Sequence, residues 1–323
     1  MSATSLELVL IGPLRPVLAK GLADFTVHKF PAASEREAFW RSTPPLRAMA
    51  VSAPAEPVDE ALYARLPNLE IIASFGVGYD HIDVRAAAKR GIVVTHTPDV
   101  LTEEVADTAI GLLLCTVREL PQAERYLRAG KWPQGNYPLS RATLRNRTAG
   151  LVGMGRIGGA IAQRLEAFGV PIVYHARQPR PDLAYRHYPR LIDMARDVDT
   201  LIVIVPGGPA TRNMIDAAVL DALGPDGILI NVARGSVVDE GALIEALKER
   251  KIFAAGLDVF VNEPAVPAEL LKLDNVVLLP HLGSASVFTR EKMDQLLVDN
   301  FLAWSRGEPP LTPVPETPWQ GWR

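Results

Sequence analysis

Cysteine is nearly absent from this chain of 323 residues, long apolar runs are missing, and neither sign of charge dominates. The single cysteine, Cys115, has no second thiol to pair with, which excludes an internal disulfide and fits a reducing compartment. It lies in the apolar stretch 109–115, so we expect a buried structural thiol rather than a nucleophile. No apolar run approaches the roughly 18 residues that a membrane-spanning helix needs, and no membrane partner is expected.

The charge and composition narrow the class of protein further. A net charge of −3 gives no reason to expect a nucleic-acid partner, and no metal site is expected. The first residues lack the basic start of a signal peptide, so the expected location is cytoplasmic. Hydrophobic residues make up 48% and charged residues 22% of the chain, as in ordinary globular proteins. The length suggests about two domains.

The stretch from Thr148 to Arg180 carries the strongest motif. The apolar run 149–152 is typical of a buried strand, and a helical apolar spacing follows from Ile157 to Phe168. Between them lies a G-x-G-x-x-G, a context that favours a dinucleotide-binding turn over a plain tight turn. The glycines permit the turn, the approach of a pyrophosphate and close helix–strand packing, and the amides at the helix start face the phosphates. The predicted contacts are Gly153, Gly155, Arg156, Ile157 and Gly158.

The segment after the next predicted strand indicates which dinucleotide binds. Proteins that bind NAD usually carry an acid about 20 residues past the motif, on the ribose 2′-hydroxyl. Here residues 175–180 contain no acid, and the first is Asp182. Arg177 can instead bind a 2′-phosphate with a planar fork of donors, although it could be an ordinary surface charge. We therefore predict NADP(H), with contacts from His175, Arg177, Gln178 and Arg180.

Strands and helices alternate along the chain, which predicts two α/β domains with parallel sheets. The predicted strands are 6–11, 25–28, 48–51, 69–74, 92–95, 149–152, 171–174, 200–205, 227–234, 254–260 and 275–279. The predicted helices are 59–66, 86–90, 98–118, 157–168, 239–251 and 289–304. The second domain, residues 101–287, is expected to be inserted into a first domain of residues 1–100 plus 288–323.

Two segments look irregular. Residues 126–139 contain two glycines and two prolines, and Trp132 within them could wall a substrate pocket or face solvent or a second subunit. The tail 309–318 has five prolines and cannot form a regular helix. We expect the tail to lie extended along the first domain or to be partly loose.

Three ionisable residues follow predicted strands of the second domain. Arg234 ends the strand 227–234, Glu263 follows 254–260, and His281 follows 275–279. Ligands of open parallel sheets bind beyond the carboxyl ends of the strands, so these side chains are expected beside the cofactor. Arg234 can bind the oxygens of a 2-oxo acid, His281 can protonate the carbonyl oxygen, and Glu263 can orient the imidazole. Each residue alone could be an ordinary surface or turn residue, but their joint placement predicts an active site.

A second glycine-rich loop follows the strand 69–74. Gly76 and Gly78 flank Val77, which leaves backbone amides accessible to an anion. A plain strand-to-helix turn remains the alternative for this loop.

Taken together, the motifs resemble the D-2-hydroxyacid dehydrogenase family, and within it the glyoxylate/hydroxypyruvate reductases. The resemblance spans residues 45–315 and rests on the segments 76–80, 97–102, 153–158, 233–235, 256–260, 263–264 and 279–281. It implies a doubly wound Rossmann cofactor domain inserted into a smaller flavodoxin-like substrate domain, and a homodimer paired through the cofactor domains.

The resemblance also assigns roles to residues. It implies Arg234, Glu263 and His281 as the catalytic trio, and the Val77 and Gly78 amides as ligands of the substrate carboxylate. Further cofactor contacts are expected from Val205, Pro206, Val232, Ala233 and Asp258.

The expected reaction is the NADPH-dependent reduction of small 2-oxo acids, glyoxylate and hydroxypyruvate, to D-2-hydroxy acids. Bulky candidates for the pocket wall are Phe75, Tyr79, Trp132 and Leu282. One alternative is a reductase of broad or aromatic 2-oxo acids of the hydroxyphenylpyruvate type. A nucleotide-sensing corepressor is disfavoured by the NADP pattern. Formate and phosphite dehydrogenases are the other enzymatic alternatives. They tend to keep an acid after the second strand of the motif, which this chain lacks, and formate dehydrogenases replace the Glu263 equivalent.

Overall fold

The computed structural model describes residues 6–53 and 57–321, and the chain divides into two units. Unit 1 consists of Met1–Leu101 and Ser286–Arg323, and unit 2 of Thr102–Ala285. In the described ranges, no helix is long and apolar enough to cross a membrane. Those ranges also contain no group of three or more His, Cys, Asp or Glu that could hold a metal ion.

Every strand and helix predicted from the sequence is present. The strands are β1 Leu6–Ile11, β2 Phe25–Lys29, β3 Ala48–Val51, β4 Ile71–Ser74, β5 Val93–Thr95, β6 Ala149–Val152, β7 Ile172–His175, β8 Arg186–His187, β9 Thr200–Val203, β10 Ile228–Asn231, β11 Ala254–Leu257 and β12 Val276–Leu278. The α-helices are α1 Pro16–Gly21, α2 Arg36–Ser42, α3 Glu60–Arg65, α4 Val84–Lys89, α5 Thr102–Val117, α6 Leu120–Arg128, α7 Arg156–Ala167, α8 Leu191–Asp197, α9 Ala217–Leu223, α10 Glu240–Lys248, α11 Ala268–Lys272 and α12 Val287–Ser305. The two-residue strand β8 was not predicted.

Unit 1 contains a five-stranded parallel sheet in the order β2-β1-β3-β4-β5. Its strands β3, β4 and β5 are buried at every position, as expected of a parallel sheet covered by helices on both faces. The proline-rich tail is extended along β5: Pro313 bridges Thr95, and Val314 donates to the Val94 carbonyl at 2.8 Å. The tail therefore covers the edge of this sheet.

Unit 2 contains a seven-stranded parallel sheet in the order β12-β11-β10-β9-β6-β7-β8. The chain moves outward from β6 in one direction through β7 and β8, and in the other from β9 to β12. The order thus reverses between β6 and β9, and doubly wound sheets bind ligands at such a switch point, beyond the carboxyl ends of the strands. The predicted doubly wound α/β fold is confirmed.

Several strand ends and one loop differ from the prediction, and the largest differences at strand ends are in β10 and β11. β10 ends at Asn231 instead of Arg234, because Asn231 Oδ1 accepts from the Ala233 amide and Nδ2 donates to the Arg234 carbonyl. β11 ends at Leu257 instead of Phe260. The segment expected to be irregular begins inside α6, which extends to Arg128.

Cys115 also departs from expectation, since it is half-buried rather than buried. Burial still raises the pKa of its thiol, which makes the thiolate scarcer. A nucleophilic role gains no support from this environment.

Candidate active site

The glycine-rich turn joins β6 to α7 at the switch point of the sheet in unit 2. Gly153 has φ +109°, and a Cβ there would lie 2.7 Å from the Ile204 carbonyl oxygen. A Cβ on Gly158 would lie 2.5 Å from the Gly153 carbonyl oxygen, so both positions need glycine for the helix to pack on the strand. A Cβ on Gly155 would meet nothing within 4 Å, which leaves its backbone open to a ligand.

The start of α7 provides the donors for an anion. The first helical bond runs from the Gly159 amide to the Gly155 carbonyl at 2.9 Å, so the amides of Arg156, Ile157 and Gly158 precede the helical ladder. No side chain caps this end of the helix. These amides, the helix dipole and the open backbone at Gly155 fit a dinucleotide pyrophosphate.

The two arginines after β7 differ in their surroundings. Arg177 is exposed and has no hydrogen bond or ion pair with any described residue. Arg180 donates to both carboxylate oxygens of Asp182, at 2.8 and 2.6 Å, and to the Met154 carbonyl at 3.2 Å. The Arg180 hydrogen bonds lower the pKa of Asp182 to about 2. The fork of Arg177 is thus available to a ligand, whereas that of Arg180 braces the glycine-rich turn.

The other predicted cofactor residues lie at the carboxyl ends of the neighbouring strands. His175 ends β7, and its Nδ1 donates to the Tyr188 carbonyl at 2.8 Å. Val205 and Pro206 follow β9, and Val232 and Ala233 follow β10 and are buried. Gln178 is exposed beside Arg177.

Glu263 and His281 form a pair beyond β11 and β12. Glu263 Oε2 lies 2.6 Å from His281 Nδ1, and Glu263 Oε1 accepts from the Phe260 amide at 3.1 Å. Burial raises the pKa of Glu263, but the hydrogen bond and charge of His281, the Phe260 amide and the charge of Arg234 outweigh it. The pKa of Glu263 is therefore below its ordinary value. The side chains of His281 and Glu263 are 45% and 34% exposed, so a ligand can reach them.

Asp258 holds the loop that carries the histidine. Its two carboxylate oxygens accept from the amides of Leu282 and Gly283, at 2.8 and 2.9 Å, and its carbonyl accepts from the His281 amide at 2.9 Å. His281 has φ +52°, a strained region for a residue other than glycine, and these three bonds stabilise it there. Burial raises the pKa of Asp258, and the two amides oppose that effect.

A close contact between two loops places Arg234 near the pair of Glu263 and His281. A Cβ on Gly235 would overlap the backbone of Phe260 and Val261, so only glycine allows the loop after β10 to pack against the loop after β11. This contact brings the Arg234 charge within reach of Glu263. Unit 2 thus gathers Arg234, Glu263 and His281 at one edge of its sheet.

The second glycine-rich loop belongs to unit 1 and follows β4. The Gly76 carbonyl accepts from the Thr97 amide at 2.8 Å, and the Val77 carbonyl accepts from His96 Nδ1 at 2.9 Å. No described residue accepts a hydrogen bond from the amides of Val77 and Gly78. The loop therefore presents two donors suited to an anion.

The residues proposed as pocket walls differ in exposure. Phe75 is only 9% exposed and lies under the Arg15 guanidinium, with 3.9 Å between its ring centre and Cζ. Tyr79 donates to Glu316 Oε2 at 3.2 Å. Trp132 and Leu282 are 61% and 36% exposed. Phe75 is thus the least available of the four side chains.

Several residues that shape these loops were given no role in the sequence analysis, namely Asn231, Gly235, His96 and Thr97, although Thr97 and Gly235 lie in the segments that carry the family resemblance. Asn231 had a local signal, because asparagine at the end of a strand often bonds to the backbone and ends the ladder. The other three act through partners distant in the chain, which a sequence pattern does not display.

Comparison with known proteins identifies the family. The sequence model of the family described as D-isomer specific 2-hydroxyacid dehydrogenase, NAD binding domain, matches residues 110–283. The chain belongs to the D-isomer specific 2-hydroxyacid dehydrogenases. It is therefore an oxidoreductase that uses a nicotinamide dinucleotide and reduces 2-oxo acids, and the predicted family and enzyme class are confirmed.

Individual members of this dehydrogenase family are close in sequence and structure. The chain is 51% identical to glyoxylate/hydroxypyruvate reductase A of Arabidopsis thaliana, over 79% of this chain and 82% of the relative. It is 46% identical to hydroxyphenylpyruvate reductase of Plectranthus scutellarioides over the same shares. A solved NADPH-dependent glyoxylate/hydroxypyruvate reductase of Sinorhizobium meliloti, in complex with NADP and malonate, is 51% identical. It covers 99% of this chain and 100% of its own, with a TM-score of 0.91.

Proposed function

We propose that this dehydrogenase is an NADPH-dependent reductase of small 2-oxo acids, with glyoxylate and hydroxypyruvate preferred and D-2-hydroxy acids as products. The observation that carries the proposal is the 2.6 Å pair of Glu263 and His281, with the charge of Arg234 beside it. A charged donor, an oriented imidazole and a carboxylate are the groups that carbonyl reduction of a 2-oxo acid needs.

Each residue of the proposed active site has a separate role in the reduction. A bound reduced nicotinamide supplies the hydride to the carbonyl carbon. Because His281 Nδ1 is engaged with Glu263, Nε2 is the atom that delivers the proton to the carbonyl oxygen. Glu263 orients the ring, and Arg234 binds the carboxylate and carbonyl oxygens. The Val77 and Gly78 amides are assigned to the substrate carboxylate.

The preference for NADPH rests on the segment after β7. Arg177 is exposed and uncommitted among the described residues, and residues 175–180 contain no acid that would repel a 2′-phosphate. The structural relative from Sinorhizobium meliloti is named NADPH-dependent and holds NADP, which supports the same assignment. His175, Gln178, Arg180, Val205, Pro206, Val232, Ala233 and Asp258 remain proposed cofactor contacts.

A reductase of aromatic 2-oxo acids is the second candidate. It is favoured by the 46% identity to a relative named hydroxyphenylpyruvate reductase. The burial of Phe75 also removes one of the side chains that would restrict the pocket. Small acids remain our choice because Trp132, Tyr79 and Leu282 are still available as walls.

We also propose that the protein is a homodimer paired through unit 2. α6 has no buried residue, and its two leucines, Leu120 and Leu127, are 49% and 56% exposed. Trp132 and Leu139, further along, are 61% and 94% exposed. A second copy would bury these apolar groups, and light scattering of the purified protein would give twice the chain mass; the mass of one chain would contradict the proposal.

The substrate and cofactor are tested together by one set of assays. Initial rates with glyoxylate, hydroxypyruvate and phenylpyruvate are measured with NADPH and with NADH. We expect NADPH to give at least a tenfold higher kcat/KM, about 1.4 kcal/mol, and hydroxypyruvate to exceed phenylpyruvate. A preference for NADH would contradict the cofactor assignment, and a preference for phenylpyruvate would support the aromatic candidate.

A further inference from the structure

In the glycine-rich loop of unit 1, the directions of the Val77 and Gly78 N–H groups are set by two carbonyls. Each carbonyl belongs to the same peptide group as the N–H that it directs. A trans peptide is planar, and its C=O and N–H point in opposite directions. The Gly76 carbonyl is held by the Thr97 amide at 2.8 Å, so the Val77 N–H points away from Thr97. The Val77 carbonyl is held by His96 Nδ1 at 2.9 Å, so the Gly78 N–H points away from His96.

We infer that His96 is a positioning residue for substrate binding, because its imidazole fixes the direction of the Gly78 amide. A carbonyl oxygen can only accept, so His96 Nδ1 carries a hydrogen and donates it. The anchor of the Val77 amide is a backbone group, whereas the anchor of the Gly78 amide is this one side chain. The inference rests on the proposed function in one respect, the assignment of these amides to the carboxylate.

The surroundings of His96 hold the imidazole in place. Its backbone is fixed on both sides by Thr312 in the tail, whose carbonyl accepts from the His96 amide at 3.2 Å and whose hydroxyl donates to the His96 carbonyl at 2.6 Å. The ring of Tyr79 meets the imidazole edge-on, with centroids 5.4 Å apart and planes at 90°. Tyr79 is itself held by Glu316. The donor that controls the loop is thus fixed before any substrate arrives.

Preorganised donors matter most for binding an anion that must be desolvated. Without the His96 bond, the peptide between Val77 and Gly78 can rotate, and its amide must be reordered each time a carboxylate binds. The loss should weaken carboxylate binding and leave the chemical step unchanged, because no atom of His96 is assigned to the reacting groups.

The test uses malonate, a carboxylate with no 2-oxo carbon to reduce, and titrates it calorimetrically into the protein saturated with NADPH. We expect His96→Ala to raise the malonate Kd about 5- to 20-fold, less than for the loss of a whole charge-assisted hydrogen bond, because the Gly78 amide remains but must be reordered on binding. His96→Asn should stay within about threefold, because its side-chain N–H can replace Nδ1 as the donor to Val77. His28→Ala is the matched control, since His28 Nε2 contacts Glu7 Oε2 at 2.5 Å on β1 and β2 of the same unit.

Turnover separates the inference from the proposed function. For glyoxylate, His96→Ala should raise KM by a similar factor while kcat and the melting temperature stay near those of the wild type. If the wild type reduces no 2-oxo acid but His96→Ala still weakens malonate binding, the proposed function fails and the inference stands. The inference is overturned if malonate does not bind the wild type or if its Kd is unchanged in His96→Ala. Equal losses in the Ala and Asn variants, or a lower kcat with an unchanged KM, would overturn it as well.

Discussion

Glu263 Oε2 lies 2.6 Å from Nδ1 of His281, and the same carboxylate accepts from the Phe260 amide through its other oxygen. The carboxylate is thus fixed at both oxygens, and the imidazole is presented with Nε2 free of this pair. Asp258 fixes the backbone that follows the histidine, through the amides of the next two residues. The orientation of the proposed acid is therefore set by two carboxylates with different tasks.

The first prediction concerns the pH dependence of carbonyl reduction. The pKa of Glu263 lies below its ordinary value of 4.5, so its carboxylate is charged throughout the neutral range. In Glu263→Gln a neutral amide replaces the carboxylate that lies 2.6 Å from Nδ1 of His281. Because a negative charge beside the proposed proton donor is lost, the basic limb of the kcat/KM profile for carbonyl reduction should move to lower pH. A basic limb that stays at the wild-type pH would contradict this role of the Glu263 carboxylate.

The second prediction separates the two arginines after β7. Arg177→Ala should raise the KM for NADPH about 10- to 150-fold, as for one charge-assisted bond to a phosphate, and leave that for NADH nearly unchanged. Arg180→Ala is the matched comparison, because its fork holds Met154 and Asp182. It should affect both cofactors alike. Equal losses with both cofactors in Arg177→Ala would contradict the assignment to the 2′-phosphate.

The third prediction concerns the close packing of the two loops. Gly235→Ala would force its Cβ into the backbone of Phe260, and it should lower the free energy of unfolding by about 1–3 kcal/mol and reduce kcat. Gly111→Ala in α5 is the control, because a Cβ there meets nothing within 4 Å. It should be neutral or stabilise the helix by about 0.5–1 kcal/mol. Denaturant unfolding and steady-state rates measure both effects, and a Gly235 variant with wild-type stability and kcat would contradict the account of the loop contact.

The sequence was sufficient for the architecture because local patterns carried it. β6 and α7 follow from an apolar run, three glycines and a helical spacing, all within twenty residues. The placement of Arg234, Glu263 and His281 at one edge followed from the geometry of parallel sheets, and needed only the approximate ends of three strands. These features depend on neighbours in the chain or on the general form of the fold.

The contacts that adjust the site could not be read from the sequence in the same way. Arg177 and Arg180 are the same residue type in the same segment, and only the contacts of Arg180 with Asp182 and Met154 distinguish them. Gly235 and His96 act on residues 25 and 19 positions away, Phe260 and Val77. Such contacts depend on how loops from different strands meet, and sequence periodicity holds no information about that.

The most direct test of the central claim is the rate of glyoxylate reduction by NADPH in the wild type and in His281→Asn at neutral pH. The account predicts turnover by the wild type and a kcat lower by a factor of about 10² or more in the variant, since the proton donor is lost. The Kd for NADPH, measured by fluorescence titration, should be the same in both proteins. A wild type without turnover, or a His281→Asn variant with an undiminished kcat, would contradict the account.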